Sequence, residues 1–388
     1  MKVLIVHNAY GRFSGEEAVI RDIKSVLKLH GHDVISLERS SAELNKMRFG
    51  ALRAFFSGLY NPFSRRKFRK LLETERPDII HVHNLFPFIS PSILFETRQS
   101  RIPVIMTVHN YRLDCPNGLY YSNGEICERC HGGKEYWCIL KNCEQNYLKS
   151  FGYALRNWVA RMGRAYLDNV TIYACLTKFQ KNKLAMAGYP IERLSIIPNM
   201  VQMPVTKVKG VGDPCVGYVG RMSKEKGVSV LVDSAKNCLD ISFVAAGGYD
   251  ALPGLEKEIP PNFKLLGYCK QTELAGVYKS ARFIVLPSVC YEGFPTVLVE
   301  AMLHGKAIVC SKIGGLPEIV ADGVTGLLVE PGNADDLADK IRYLWERPEL
   351  CKKMGEAGRE KALKEYSQGK YYKRLLSVYN RAISECKN

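Results

Sequence analysis

GRMSKEKG, residues 220–227, separates the apolar run Cys215–Val219 from a segment, 228–235, that has the pattern of a helix. A glycine-flanked loop between a buried strand and a helix offers free backbone N–H groups at the positive end of the helix dipole. Arg221 and Lys226 add two cationic side chains at the same place. Backbone donors and cations together can bind a diphosphate without a metal ion. The loop therefore predicts a phosphate-binding unit of an α/β domain.

The alternation of strand and helix patterns runs along the whole chain and restarts once. The chain has 388 residues, which is enough for about two domains. Residues 200–214 contain prolines and glycines with little periodicity, so we interpret them as a linker between domains at 1–200 and 201–388. Such alternation predicts parallel sheets with helices on both faces. The predicted fold class is α/β, with two doubly wound, Rossmann-like domains facing across a cleft and a C-terminal helix that crosses back to the N-terminal domain.

The charge of the chain is positive and uneven. The net charge is +16, of which +12 falls in residues 1–200 and +4 in residues 201–388. Between Met47 and Arg76, basic side chains are interleaved with aromatic ones, a pattern that anionic membrane surfaces attract. The alternative is a solvated helix face whose apolar residues lie in the core. No nucleic-acid-binding motif accompanies the charge, so nucleic acid is not an expected partner.

The apolar runs bear on the compartment. None approaches the roughly 20 residues of a membrane-spanning helix, and the N-terminal run is too short for a signal peptide. We therefore expect a cytoplasmic protein, peripheral on the inner face of the membrane. Its thirteen cysteines are then expected to be reduced or metal-bound.

Two glutamates follow in the second half, in the segment EGFPTVLVE at 292–300. Glu300 lies on a predicted helix that is apolar nearly all round, and a buried carboxylate needs a partner. Two adjacent sugar hydroxyls would serve, and the alternative is an internal ion pair. Glu292 precedes the helix, where its carboxylate and the N–H groups of residues 293–296 would meet a phosphate or a sugar hydroxyl. The alternative there is a helix-entry charge favoured by the dipole.

These motifs together resemble the retaining nucleotide-sugar glycosyltransferases of family 4, which have the GT-B fold. The resemblance rests on G-R-x4-K-G at 220–227, E-x7-E at 292–300 and GGLPE at 314–318, and it covers nearly the whole chain. It implies that Arg221 and Lys226 bind the donor diphosphate, that Glu292 contacts the donor sugar and that Glu300 binds the ribose. The other implied donor-binding positions are Gly293, Phe294, Pro295 and Thr296, with Tyr268 and Cys269 at the base.

The N-terminal half is expected to contribute Gly15 and His109. The family has two glycines before its first helix, and here Gly15 alone matches, so a plain turn is the alternative to a donor contact. His109 follows a predicted strand and resembles the family histidine that contacts the donor sugar, with a structural histidine as the alternative. His81 and His83 alternate on an earlier strand, where one could line the acceptor side and a core position is the alternative.

A cysteine-rich insertion occupies residues 112–146. Its Cys-x2-Cys pair, Cys127 and Cys130, together with Cys115 and Cys143, predicts a structural zinc site. Cys138 could replace Cys143, and His131 is a spare ligand. Unligated reduced thiols are the main alternative, followed by a disulfide or an iron–sulfur site. The insertion follows His109 and is expected to shape the acceptor side of the cleft.

The sequence therefore predicts a retaining, hexosyltransferase-type glycosyltransferase that uses a nucleotide-diphosphate sugar. The expected acceptor is a lipid-linked glycan of surface polysaccharide biosynthesis, and the predicted catalytic residues are His109, Arg221, Lys226 and Glu292. No Asp-x-Asp cluster stands at a predicted strand end, so we expect no catalytic metal or other cofactor. Front-face substitution, with the leaving phosphate assisting deprotonation of the acceptor, is implied by the resemblance. The alternatives are a soluble transferase acting on a small acceptor or glucan, a nucleotide-sugar epimerase of similar fold, and a non-catalytic binding module.

Overall fold

The computed structural model describes residues 1–11, 14–203, 210 and 212–387, apart from the side chains of Asn45, Lys46 and Lys387. The chain forms two compact units: unit 1 comprises Met1–Asn123, Cys127–Asn199 and Gln368–Asn388, and unit 2 comprises Gly124–Ile126 and Met200–Ser367. The boundary after Asn199 lies beside the predicted one. Residues 204–209 and 211 of the predicted linker lie outside the described residues.

Unit 1 is built on a six-stranded parallel sheet with the strand order β2-β1-β3-β4-β7-β8. The first 199 residues contain the strands β1 Lys2–Ala9, β2 Asp33–Ser40, β3 Ile79–Val82, β4 Val104–Val108, β5 Tyr121–Ser122, β6 Glu125–Ile126, β7 Ile172–Cys175 and β8 Leu194–Ile196. Their helices are α1 Gly15–Leu29, α2 Gly50–Leu59, α3 Pro62–Glu75, α4 Thr97–Ser100, α5 Tyr136–Leu140, α6 Tyr147–Met162 and α7 Lys178–Met186, with 3₁₀ turns at Ser41–Lys46, Pro91–Glu96 and Ile191–Arg193.

Unit 2 has a second six-stranded parallel sheet, in the order β11-β10-β9-β12-β13-β14. Its strands are β9 Cys215–Val219, β10 Phe243–Ala246, β11 Phe263–Gly267, β12 Ala281–Leu286, β13 Ala307–Ser311 and β14 Gly326–Val329. Its helices are α8 Val228–Lys236, α9 Leu255–Glu258, α10 Gln271–Ser280, α11 Thr296–Leu303, α12 Leu316–Ile319, α13 Ala334–Trp345 and α14 Pro348–Glu365, with a 3₁₀ turn at Lys224–Lys226. The predicted α/β class with two doubly wound sheets is confirmed.

Both strand orders contain a point at which the winding of the sheet reverses. In unit 2 the reversal lies between β9 and β12, and in unit 1 it lies between β1 and β3. The connections that leave two such strands run to opposite faces of the sheet, so a crevice opens at their carboxyl ends. The residues that follow β9, β12, β1 and β3 are therefore the ones that each sheet exposes to a ligand.

The last helix, α15 Gln368–Lys387, groups with unit 1, as the predicted return of the C-terminal helix requires. Aromatic side chains fasten it there: the hydroxyl of Tyr379 lies 2.7 Å from Nδ1 of His81, and that of Tyr372 lies 2.9 Å from Nε2 of His32. Tyr379 is fully buried. Residues from opposite ends of the chain thus share one core.

Candidate active site

The loop after β9 depends on its glycines. Gly227 has a φ of +68°, and a Cβ atom there would lie 1.8 Å from the carbonyl oxygen of Pro287 at the end of β12. Gly247 is equally constrained, because its Cβ would lie 1.8 Å from the oxygen of Gly220. Only glycine lets the backbones approach this closely. The glycines thus bring the loop after β9 against the end of β12, at the reversal point of unit 2.

Lys226 and Glu292 meet at this reversal point. Lys226 Nζ lies 2.6 Å from Glu292 Oε1, and the Ser288 hydroxyl donates to the same oxygen at 2.6 Å. The Glu292 side chain is 8% exposed and that of Lys226 is 24% exposed. Burial, the largest single cause, would lower the pKa of Lys226, but the charge of Glu292, its hydrogen bond and the other neighbouring groups together outweigh burial, and the net shift is upward. Lys226 therefore stays cationic beside a nearly buried carboxylate.

Arg221 stands at the start of the same loop. Its Nη2 lies 2.5 Å from Glu225 Oε1, and its side chain is 64% exposed, so the guanidinium can still reach a ligand. The Ser223 hydroxyl donates to the same Glu225 oxygen at 2.7 Å. Burial alone would raise the pKa of Glu225, but the Ser223 hydrogen bond, the Arg221 charge and smaller contributions together outweigh it, and the net shift is downward. Sequence reasoning missed Glu225, although its i,i+4 spacing from Arg221 was a usable signal.

The segment from Glu292 to α11 is fixed from two sides. The Gly315 N–H donates to the Glu292 carbonyl at 3.3 Å, and Gly314 has a φ of +56° with Glu292 backbone atoms close behind it. Phe294 is buried, with its ring edge-on to Tyr366 at 5.2 Å. Phe294 thus packs in the core of unit 2. No described side chain caps α11, so its first N–H groups are available to an anion.

Glu300 lies one turn before the end of α11 and is partly buried. The Tyr278 hydroxyl donates to its Oε2 at 2.9 Å, and the Tyr278 ring stacks on His304 at 4.7 Å. Burial, and then the Glu300 charge, raises the pKa of Tyr278 and keeps its proton in this hydrogen bond. A neutral hydroxyl therefore already partners the carboxylate.

Tyr268 and Cys269 follow β11, which lies two strands from β9. Tyr268 is 69% exposed, and the Cys269 thiol donates to the Gly267 carbonyl at 3.6 Å. Adjacent strands lie about 4.8 Å apart, and β10 alone lies between β11 and β9, so the ends of β11 and β9 are about 10 Å apart. The structure therefore brings Lys226, Ser288 and Glu292 together and leaves Tyr268 and Cys269 at the flank of the same sheet edge.

Unit 1 places histidines at its own reversal point. His109 follows β4, and its Nε2 lies 2.9 Å from Nδ1 of His83, which follows β3. His81 Nδ1 meets the Tyr379 hydroxyl and its Nε2 meets the Thr107 hydroxyl, both at 2.7 Å, so His81 is a structural histidine. Burial lowers the pKa of His109 to about 3 and that of His81 to about 3. These imidazoles are neutral at pH 7.

Gly15 is the first residue of α1, and the helix is capped from within unit 1. The side chain of Ser14 accepts from the N–H of Glu17, and the Glu17 carboxylate accepts from the N–H of Tyr10 at 2.8 Å. The Ser14-Gly15 pair therefore starts the helix without the second glycine of the family pattern.

A buried polar pocket beside these histidines was not predicted. Tyr10 donates to Glu16 Oε2 at 3.0 Å, and His7 Nδ1 lies 3.7 Å from Glu16 Oε1. A cavity of about 30 Å³ is lined by Glu16, His83, His109 and Arg112 among others. Within the described part of the chain, Glu16 Oε1, His83 Nε2 and Arg112 Nε find no hydrogen-bond partner. Buried polar atoms are nearly always paired, so the pocket is built to take a polar group or a water molecule.

The cysteine insertion packs several of its thiols into one cluster. Among the described residues, no three or more His, Cys, Asp or Glu side chains form a group that could hold a metal ion. Cys130 and Cys138 are buried in one apolar cluster with Ala154, and Cys143 packs against that cluster. The predicted zinc site therefore stays a prediction, and no step below depends on it.

The basic aromatic stretch exposes much of its apolar surface. Phe49, Leu52, Phe56, Tyr60 and Phe63 are exposed, and Phe63 reaches 79%. On α6, Leu148 and Phe151 are exposed as well, and the Phe151 and Phe55 rings stack at 6.4 Å. Neither α2 nor α6 contains an acidic residue. We call this two-helix surface of unit 1 the aromatic face. No described helix is both long and apolar enough to cross a membrane.

Comparison with known proteins identifies relatives for both halves. Residues 204–361 match the family model described as glycosyl transferases group 1, and residues 13–203 match glycosyltransferase family 4. A glycosyltransferase of Methanocaldococcus jannaschii is 30% identical over 316 residues, which are 80% of this chain and 77% of that protein. Alpha-maltose-1-phosphate synthase of Mycolicibacterium smegmatis is 31% identical over 43% of this chain and 48% of its own length.

Solved structures share the fold. Anabaena HepE in complex with UDP superposes with a TM-score of 0.68 at 18% identity, over 98% of this chain and 100% of that one. Sucrose-phosphate synthase from Thermosynechococcus elongatus gives a TM-score of 0.73 at 18% identity, over 99% and 100% of the two chains. The fold is therefore the GT-B fold that the sequence predicted.

Proposed function

The chain belongs to glycosyltransferase family 4, and from that premise we propose that it transfers a sugar, with retention, from a nucleotide-diphosphate sugar to a lipid-linked glycan of surface polysaccharide biosynthesis. The observation that carries the proposal is the Lys226–Glu292 pair at the reversal point of unit 2. Structural neighbours crystallised with UDP and with UDP-glucose support a nucleotide-sugar donor.

Electrostatics support the proposed donor site. A departing nucleoside diphosphate accumulates negative charge, and a unit cation about 4 Å away is worth about 4 kcal/mol at an effective dielectric of 20. Lys226 stays cationic beside Glu292, and the exposed guanidinium of Arg221 stands at the start of the same loop. Cations aimed at the leaving group stabilise the transition state more than the ground state. We therefore propose that Arg221 and Lys226 act in place of a metal ion.

The glutamates are assigned to the sugar parts of the donor. Lys226 and Ser288 hold Oε1 of Glu292 in place, and we assign the Glu292 carboxylate to a donor-sugar hydroxyl. Tyr278 donates to Oε2 of Glu300, and we assign the Glu300 carboxylate to the ribose. The N–H groups of Gly293, Phe294 and Thr296, before and at the start of α11, are assigned to the phosphates. Tyr268 and Cys269 are assigned to the base.

In unit 1, Gly15 and His109 are assigned to the donor as well. Gly15 stands at the first position of α1, where backbone N–H groups are unpaired by the helix. His109 uses Nε2 for His83, which leaves Nδ1 for a sugar hydroxyl. Because burial keeps His109 neutral, we propose that it orients the sugar and does not transfer a proton as an imidazolium. We also propose that the acceptor hydroxyl attacks the sugar from the same face that the nucleoside diphosphate leaves, and that the leaving phosphate takes the acceptor proton.

The membrane is the proposed source of the acceptor. Exposed aromatic and leucine side chains on α2 and α6, without acidic residues on either helix, suit an anionic lipid surface. A peripheral enzyme that binds the membrane through the aromatic face would meet a lipid-linked glycan at the inner surface of the membrane. The rest of the protein would stay outside the lipid.

Scanning calorimetry with UDP, GDP, ADP and the corresponding nucleotide sugars tests the donor assignment. A ligand that binds the folded protein raises its apparent stability, so the midpoint of unfolding should rise. Proton NMR of the product then reports the anomeric configuration. The proposal fails if none of the nucleotides binds, or if the transferred sugar is inverted. Conversion of the donor alone to an isomer would identify an epimerase instead. Transfer that needs only a small soluble acceptor would remove the lipid part.

A further inference from the structure

The buried polar pocket of unit 1 leaves hydrogen-bonding atoms of opposite kinds unpaired beside one cavity. The Glu16 side chain is only 9% exposed, and the Tyr10 hydroxyl donates to its Oε2 at 3.0 Å. Nη1 of Arg112 donates to the same hydroxyl at 3.3 Å. In the part of the chain that the structure describes, Oε1 of Glu16 and Nε of Arg112 are buried and find no hydrogen-bond partner. An acceptor and a donor are therefore left beside the cavity that both residues line.

Arg112 is held in place by the loop after β4 and by α6. Its backbone N–H donates to Oδ1 of Asn110 at 3.0 Å, and its carbonyl accepts from Nδ2 of Asn157 at 2.6 Å. Gly118 has a φ of +79°, and a Cβ atom there would lie 2.7 Å from Cγ of Arg112. Only glycine leaves room for the arginine stem at this position. These contacts fix a guanidinium whose buried Nε has no partner in the described chain, and leaving such a group unpaired costs free energy.

The size and charge of the pocket restrict the group that can fill it. The cavity of about 30 Å³ has room for about one water molecule and not for a sugar ring. An ammonium group would be repelled by Arg112, and an anionic group by Glu16 in its ionised form. A hydroxyl is the smallest group that both donates and accepts. Burial raises the pKa of Glu16, and a hydroxyl suits both of its forms, because it can also accept from a protonated carboxyl.

We propose that the pocket recognises one hydroxyl group of a sugar, with Glu16 accepting from that hydroxyl and Nε of Arg112 donating to its oxygen. Nε2 of His83 is a third buried atom without a partner among the described residues, and it can donate to the same oxygen when it carries the proton. This role rests on the proposed function, because a glycosyltransferase binds two sugars, that of the donor and that of the acceptor. Glu16 and Arg112 are then specificity-determining residues and take no part in breaking the glycosidic bond.

A pocket of this kind selects among sugars. A site that is built to hydrogen-bond a hydroxyl rejects the analogue that lacks it, because the buried polar groups of the site are then left unpaired. Loss of a hydrogen bond to a charged group corresponds to about 10–100-fold in affinity. The hydroxyl can belong to the donor sugar or to the acceptor sugar, which share this chemistry, and separate measurements on each distinguish the two sources.

Titration calorimetry of the full chain gives the donor measurement. The probes are UDP-glucose, ADP-glucose and GDP-mannose, each compared with its nucleoside diphosphate. If the pocket takes a donor hydroxyl, Glu16→Gln should weaken binding of the nucleotide sugar about 10–100-fold and leave binding of the nucleoside diphosphate unchanged. Tyr10→Phe removes the hydroxyl that positions Glu16, so it should act in the same direction by a smaller factor.

Acceptor-dependent nucleotide release gives the acceptor measurement, with octyl glucoside, octyl galactoside and octyl mannoside as probes. If the pocket takes an acceptor hydroxyl, Glu16→Gln should raise KM for the octyl glycoside by the same factor, with kcat and the affinity for the nucleotide sugar unchanged. For whichever sugar responds, one monodeoxy analogue should bind the unmodified protein as weakly as the variant binds the parent sugar. That analogue should lose nothing further in Glu16→Gln.

The control is Glu75→Gln, the same carboxyl-to-amide change in an ion pair with Lys2 at the other end of β1, and it should behave as the unmodified protein. Failure of the unmodified protein to bind any of the nucleotides would end the proposed function, and this role with it, before any variant is compared. If the nucleotides bind but folded Glu16→Gln changes the binding of neither sugar, the pocket holds an ordered water only and the proposal is overturned. Equal losses of nucleotide sugar and nucleoside diphosphate would overturn it as well. If Glu16→Gln does not fold, Tyr10→Phe decides in its place.

Discussion

Lys226 Nζ lies 2.6 Å from Glu292 Oε1, so the loop after β9 and the loop after β12 are joined by an ion pair where the sheet reverses its winding. Glu292 is nearly buried, and the Ser288 hydroxyl holds the same oxygen. The pair fixes the position of a cation beside a nearly buried carboxylate. The proposed donor chemistry follows from that arrangement.

Replacing the cation tests its role directly. Lys226→Met keeps the length of the side chain but removes its charge, and we expect turnover to fall about 10²–10³-fold, as on loss of one oxyanion donor. Lys224→Met is the matched control, because Lys224 belongs to the same 3₁₀ turn and is exposed. Turnover is measured by nucleotide release that depends on acceptor. Near-normal turnover of Lys226→Met would refute the diphosphate assignment.

The ribose assignment predicts a loss of nucleotide affinity. A hydrogen bond to a charged group contributes about 1.5–3 kcal/mol, so Glu300→Ala should weaken nucleotide binding about 10–100-fold in calorimetry. Tyr278→Phe removes the internal partner of Glu300 but leaves the carboxylate, and it should retain most of the affinity. Equal affinity of Glu300→Ala and the unmodified protein would contradict the ribose role.

The close backbone contact at Gly227 predicts an unusual stability cost. Gly323→Ala adds a methyl group at a φ of +71° with no atom within 4 Å, so it should cost only the backbone strain, about 1–2 kcal/mol. Gly227→Ala has a similar φ, +68°, but its methyl group meets the Pro287 oxygen. We expect it to cost about 1–3 kcal/mol more in the free energy of unfolding, measured with urea. Equal losses of unfolding free energy in the two variants would show that the backbone at Gly227 can move away from Pro287.

Buried neutral histidines predict acid sensitivity. Burial lowers the pKa of His7 to about 4 and that of His81 to about 3, from an ordinary value of 6.5. Their contribution to stability is complete above pH 6.5 and is lost as the pH falls toward these folded values, because only the unfolded chain takes up the protons. Each histidine contributes a slope of up to about 1.4 kcal/mol per pH unit in that window.

The measurement is the free energy of unfolding in urea between pH 7 and 4.5. His81→Gln should reduce the slope by about one histidine's share. The raised pKa of Glu16, caused first by burial, acts in the opposite direction, since stability falls as the pH rises through its titration. A slope unchanged by His81→Gln would show that His81 does not titrate as its burial requires.

The aromatic face predicts binding to anionic vesicles. In flotation with phosphatidylglycerol vesicles, the double variant Leu52→Glu, Phe56→Glu should reduce the vesicle-bound fraction about tenfold or more. It replaces apolar side chains that would enter the lipid with carboxylates that the anionic headgroups repel. Leu363→Glu alters a similarly exposed leucine on α14 and should bind as the unmodified protein does. Absence of binding by the unmodified protein would remove the membrane from the proposed function.

The fold, and the residues of unit 2 in the candidate site, could be predicted from patterns within short stretches of sequence. Strand–helix alternation, the glycine-flanked loop at 220–227 and the spacing of Glu292 and Glu300 are short-range patterns, and each is set by backbone geometry within one βα unit. Such patterns identify which residues follow which strand. They do not tell which strands are neighbours, because strand order depends on crossovers and on packing between distant segments.

Tertiary structure alone decided the remaining contacts. Lys226 meets Glu292 because β9 and β12 are adjacent. Glu16, His83 and Arg112 line one cavity because α1 begins at the edge of the sheet where β3 and β4 end. The thiols show the same limit: spacing alone picked out Cys127 and Cys130, whereas the fold buries Cys130 in one apolar cluster with Cys138 of α5. The sequence by itself determined the family, the two sheets and the glycine-flanked loop after β9. Which charges are paired, buried or left without a partner was decided by the folded chain, because those properties belong to contacts between residues far apart in sequence.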